Sequence, residues 1–197
     1  MARAITEVFA PAVLAATMPV VVAVTSAPTL VTGLGWGALA ALFSAVIPYG
    51  VIRYGVWRGT LTDHHMARRE QRRRPLSWGL ASVTISLILF AVVDAPRPLT
   101  AMVAVMLAVL AIVTVVNLWW KMSGHAAVSA GSATVLTILF GGPAAVAWVV
   151  VVLTCWSRTW LNRHSSLEHD GHNSAQVIAG ATAGTISAAV VYLAVAH

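Results

Sequence analysis

The chain has 197 residues, 59% of them hydrophobic and only 9% charged, with a mean hydropathy of +0.84. A soluble domain carries about 25% charged residues, so a water-soluble globular fold is excluded and an integral membrane protein is expected. The formal charge of +6 and the lone Cys155 speak against two other classes: a cytoplasmic-side bias of Arg and Lys explains the charge better than nucleic acid does, and one cysteine makes neither a disulfide framework nor a Cys-based metal site.

A membrane-spanning helix needs about 20 mostly apolar residues. In chain order the candidate segments are 8–27, 34–57, 77–94, 98–120, 125–140, 143–160 and 174–196. The first follows one arginine and is too long for a signal-peptide core, so it reads as a spanning helix or a signal anchor. Turn residues separate the runs: "SAPT" near Pro28, "DAPRP" at 94–98 and "GGP" at 141–143. The expected fold is all-α, a polytopic bundle of about six to seven transmembrane helices forming one domain over residues 1–197.

The polar residues fall in three clusters. Arg58, Asp63, His64, His65, Arg68, Arg69, Glu70, Arg72, Arg73 and Arg74 follow the second segment, and a basic loop is expected over 58–76. Lys121 and His125 follow the fourth; Arg158, Arg163, His164, Glu168, His169, Asp170 and His172 follow the sixth. Two crossings separate successive clusters, so all three meet on one membrane face. That face carries eleven of the twelve basic residues and six of the seven histidines. The positive-inside rule needs Arg and Lys but has no use for histidine.

Arginine offers a planar fork of donors to phosphate oxygens, and lysine adds a point charge. In "KMSGH", residues 121–125, Ser123 and Gly124 open a helix whose unshared N–H groups favour an anion. Two histidines can divide the work of nucleophile and general acid. Phosphoryl transfer asks for that combination of charge, nucleophile and proton donor.

The order of "RREQRRRP", "KMSGH" and "SR…H" with "HNSAQVIAG" resembles the type 2 phosphatidic acid phosphatase family, over residues 60 to 190. The resemblance implies a bundle of about six helices, lipid phosphatase activity, no metal or other cofactor, and a lipid phosphate in the bilayer as partner. The sequence departs from the family pattern at three places. Ala67 stands where the first motif has lysine, with Arg68 or Arg69 as substitutes and Arg72 or Arg74 as the motif's arginine. Met122 replaces a proline. The third motif admits two alignments. Counting from Ser157-Arg158 makes His164 the nucleophile with Glu168 as its acidic partner. Counting back from the last helix makes His172 the nucleophile, with Gln176 in the acidic place and about eight residues inserted. The second is preferred because His172 runs directly into the small-residue helix "AGATAGTISAA". Residues 162–171 then read as a loop or short helix over the site.

The roles implied are these. His172, or alternatively His164, attacks phosphorus; His125 protonates the leaving alcohol and later activates water. Lys121, Ser123, Gly124, Arg158 and one or two of Arg68, Arg69, Arg72 and Arg74 hold the phosphate. Gln176 orients His172 by accepting its Nδ1 proton, and Glu168 or Asp170 supplies the charge that Gln176 lacks. The basic face puts the site on the cytoplasmic side of the cell membrane, with phosphatidic acid, phosphatidylglycerophosphate or a polyprenyl-linked phosphate as substrate. A phosphotransferase using the same site is the nearest alternative, and a small transporter the next. Zinc held by His164, His169, Asp170 and His172 is a fourth reading, and Lys121 beside Trp119 and Trp120 also fits an interfacial anchor.

Overall fold

Nine helices run through the described parts of the chain, residues 1–61, 73–165 and 171–196 of a computed structural model. They are α1 (Ala2–Val8), α2 (Pro11–Ser26), α3 (Leu30–Ala41), α4 (Ile47–Trp57), α5 (Arg73–Val92), α6 (Arg97–Val116), α7 (Gly124–Phe140), α8 (Ala147–His164) and α9 (Ser174–Ala196). Five continuous helical stretches are long and apolar enough to cross a membrane, or six if the bent pair α1–α2 is one span; α7, at 17 residues, is shorter. Arg68, Arg69, Arg72, Glu168 and Asp170 lie outside the described residues.

Every expected segment coincides with a helix, and the differences at the ends have local causes. The first is broken: α1 and α2 meet at 44°, because Pro11 at the first position of α2 has no N–H to continue a helix from α1. α3 and α4 form one rod through a π-helical turn at Leu42–Val46. Pro48 lacks the N–H that would take a carbonyl of the preceding turn, and the Phe43 carbonyl accepts from Ser82 Oγ on α5 at 2.6 Å. α5 begins at Arg73, inside the expected 58–76 loop; Pro75 falls in its first turn, where a missing N–H costs nothing. α6 stops at Val116 rather than 120, and the Asn117 side chain donates to Val113 O at 2.8 Å just beyond its end. α8 runs on to His164 instead of ending at 160. Arg163 and His164 suit the negative end of its dipole, and 162–164 therefore belong to α8 rather than to a separate element over the site.

The axis of the bundle is α7. Its residues Ala126, Ala127, Ser129, Ala130, Gly131, Ser132, Ala133, Thr134 and Val135 are buried on every side, and α9, α8, α6 and α2 all touch it. A helix apolar and buried all round is a core element, which explains how one so short is accommodated. Its closest neighbour is α9. A Cβ on Gly180 would collide with the Ser123 carbonyl, and one on Gly184 with that of Ala127; only glycine lets these two backbones touch. Val22, Phe90, Leu99, Val103, Val105, Val135 and Tyr192 fill the core around them. The outward sides of the long helices are apolar as well: Val21, Ile85, Ile88, Val152, Ile186 and Val190 are exposed.

Candidate active site

Three connections lie at one end of the bundle: α4 to α5, α6 to α7, and α8 to α9. That end also holds α1 and the start of α2. Its surface carries exposed Trp57, Trp78, Trp119, Trp120 and Trp160.

The segment between α8 and α9 folds back onto α8. His172 N donates to the Arg158 carbonyl at 3.1 Å, and Lys121 Nζ donates to the Gly171 carbonyl at 2.8 Å. Gly171 sits so tightly against α8 that a Cβ would overlap the backbone of Asn162 and Arg158. Ser123 N donates to the Gln176 carbonyl at 3.2 Å, joining the start of α7 to the start of α9. The Ser123 hydroxyl caps α7 by accepting from Ala126 N at 3.3 Å, leaving the first-turn N–H groups of that helix directed toward the same end.

These ties bring His172 and Arg158 side by side. They are 4% and 6% exposed, and Arg158 Nη2 lies 3.4 Å from His172 Nδ1. A guanidinium only donates, so in this contact Nδ1 is the acceptor. Both residues line a cavity of about 710 Å³ together with half-buried His125 and Gly124 and buried Asn117. The rest of the wall is nearly all apolar and descends along five helices: Leu14 and Ala15 of α2, Ile52 of α4, Val83 of α5, Met102, Val105, Met106 and Val109 of α6, and Val128 of α7. From Asn117 back to Met102 the wall follows fifteen residues of α6, roughly 22 Å at 1.5 Å per residue.

The expected residues therefore separate into groups. His125, Gly124, Arg158 and His172 line the cavity. Lys121 and Ser123 stand behind it and hold the backbone that presents them. Arg74 is exposed at the start of α5, beside cavity-lining Pro75 and Leu76. His164 is exposed on α8, six residues beyond Arg158 and facing a different side of the helix. Its Nδ1 donates to the Trp160 carbonyl at 3.0 Å, and its ring stacks on Trp160 at 4.5 Å. The expectation for Gln176 is corrected. Its Oε1 accepts from Asn173 N at 3.2 Å while Asn173 Oδ1 accepts from Gln176 N at 2.9 Å. This reciprocal cap closes the exposed start of α9 and commits the oxygen that was to face His172 Nδ1.

The polar lining residues that were not anticipated include Glu7, Tyr49 and Asn117. Glu7 and Asn117 each stand as a lone polar residue beside an apolar run, a weak signal in sequence. Among the described residues, no three His, Cys, Asp or Glu side chains converge as a ligand set for a metal. No family model, no curated protein and no solved structure matches the chain.

Proposed function

We propose that the protein is a membrane lipid phosphatase that works through a phosphohistidine, as the resemblance to type 2 phosphatidic acid phosphatases implies. One observation carries the reading: His125, Arg158 and His172, from three distant segments, meet at the polar head of a deep apolar cavity. A phosphate at the head and a hydrocarbon tail along the walls would match both parts of that cavity. The exposed tryptophans at the same end suit a membrane–water interface, and the concentration of Arg and Lys there favours the cytoplasmic side.

In this mechanism the phosphate oxygens draw the Arg158 guanidinium away from His172 Nδ1 and take further hydrogen bonds from the first turn of α7. The freed imidazole attacks phosphorus, a P–N bond forms, and the P–O bond to the lipid breaks. His125, as imidazolium, gives its proton to the departing oxygen. The neutral His125 then takes a proton from water, whose oxygen attacks the phosphohistidine, releasing inorganic phosphate and restoring His172. Lys121 acts at one remove, by holding Gly171 and so the height of His172.

The test is phosphate release by purified protein in EDTA from phosphatidic acid, phosphatidylglycerophosphate and polyprenyl phosphates. His172→Ala and His125→Ala are expected to lose on the order of 10⁴-fold in rate, with His164→Ala near wild type. Loss confined to His164→Ala would move the nucleophile, and silence of the wild type on every lipid would remove the phosphatase reading.

A further inference from the structure

The cavity is ringed by helices, and its walls are not equally closed. Going round it, α4 packs on α5, α5 on α6, α6 on α7 and α7 on α2. Between α2 and α4 the contact is slight among the described residues. The cause lies in the far half of the same helices. α2 runs away from the site end, and α3 returns alongside it. A Cβ on Gly33 would come within 2.7 Å of Val24 Cα, and one on Gly37 within 2.7 Å of Val20 Cα. The two backbones therefore touch in that half, as small residues allow.

Nearer the site the pair parts. α2 still touches the π-helical turn at Leu42–Val46, an irregularity of the kind at which helices change direction. Beyond it α4 leans on α5 rather than on α2, and the Ser82 hydroxyl of α5 donates to the Phe43 carbonyl in the turn. The result is a slot that runs from the π-helical turn toward the site end. Its edges are Val13 and Thr17 of α2 on one side and Val46 and Tyr49 of the α3–α4 rod on the other. All four line the cavity and are exposed as well: Val13 at 42%, Val46 at 59% and Tyr49 at 40%. Thr17 donates to the Val13 carbonyl at 3.0 Å, which satisfies its hydroxyl within its own helix.

We propose that the slot between α2 and α4 is a side door through which the hydrocarbon tail of a membrane lipid enters the cavity from the surrounding leaflet. The inference rests on the proposed function for the phosphate at the head, and on geometry alone for the slot. Behind the slot the wall is apolar along roughly 22 Å of α6, which suits hydrocarbon and little else. The slot also reaches the end that bears the exposed tryptophans. A lipid therefore slides in sideways, with its head at the interface and its tail in hydrocarbon throughout. A route through water would expose every methylene of the tail, at a cost proportional to the area exposed. The slot removes that cost, and it makes the leaflet, not the aqueous phase, the source of the ligand.

The probe is phosphatidic acid with a diazirine on one acyl chain, in phosphatidylcholine vesicles that hold the full chain. Labelled residues are mapped by mass spectrometry, which needs no turnover. Label is expected at Val13, Thr17, Val46 and Tyr49, and excess plain phosphatidic acid should erase it there. At Val152 and Ile186, exposed on the outward sides of α8 and α9, the label should persist. Val13→Cys and Tyr49→Cys, each in a Cys155→Ser chain, are then alkylated with a bulky maleimide. The ratio of kcat/KM for long-chain over water-soluble dihexanoyl phosphatidic acid should fall on the order of tenfold. Val152→Cys treated in the same way should keep the wild-type ratio. Label that competes away only at residues outside the slot, or an unchanged ratio in both alkylated variants, overturns the proposal. If no lipid is hydrolysed by wild type while competable labelling of the slot stands, the side door is supported and the phosphatase reading falls.

Discussion

The two ends of the bundle are closed by different kinds of contact. At the end holding Asp94 and Gly141 the connections are short and self-contained. Thr29 and Thr32 cap α3 for each other, Asp94 turns the chain at φ 51°, and Gly141 does so at φ 68°. At the other end the partners are far apart in sequence: Lys121 and Gly171 by 50 residues, Thr6 and Ser157 by 151. Local turns form whatever the rest of the chain does. Long-range ties appear only after the helices have packed, and ordering them costs loop entropy. The cavity histidines stand at the end that bears this cost, as expected where a scaffold positions a site.

The comparison can be broken by attacking the packing on which the long-range ties depend. Gly184→Leu drives a side chain into the Ala127 carbonyl, and overpacking of this kind costs about 1–3 kcal/mol. Because α7 and α9 both lead into the site, the variant should unfold earlier, followed by tryptophan fluorescence in detergent, and should lose phosphate release as well. Full activity and an unchanged midpoint would show that this contact does not set the site.

Lys121→Met sharpens the contrast. It removes one charged hydrogen bond, worth about 1.5–3 kcal/mol locally, at the backbone that presents His172. The expected outcome is a fall in kcat of about 10²-fold with a small change in thermal midpoint. A fall in lipid affinity alone would instead make Lys121 a direct phosphate ligand.

At the opposite end Thr29→Ala should do the reverse. Losing the cap costs about 1 kcal/mol of stability, and phosphate release should be untouched. An activity change there would mean that the two ends are coupled through the α3–α4 rod, which a hydrogen–deuterium exchange comparison of the two variants would locate.

Much of this was legible before folding. The seven apolar runs announce the helices, since burial and span length act on local composition, and Ser123 announces the start of α7. That Lys121 and His125 gather at one end with Arg158, His164 and His172 was legible because two helix crossings separate each cluster from the next; the preference for His172 over His164 rested on the family resemblance. The role of Gln176 was not legible. An amide in an acidic place reads as a weakened orienting group, whereas here it meets Asn173, three residues away, and caps its own helix. The rank of Lys121 was also hidden, because a sequence cannot distinguish an ammonium that meets a phosphate from one that meets the Gly171 carbonyl.

By itself the sequence determined a helical, lipid-compatible chain with its polar chemistry gathered at one end, because hydropathy and crossing number are additive along a chain. Tertiary structure alone decided which histidine lies in the cavity. His164 and His172 are eight residues apart; one stacks on Trp160 at the surface and the other is buried against Arg158. Their separation follows from Gly171 packing onto α8 and from α9 packing onto α7 through Gly180 and Gly184. The Gly180–Gly184 spacing is a local pattern for close helix packing, but which helix it meets, and the seating of Gly171 on α8, are fixed only in the tertiary structure.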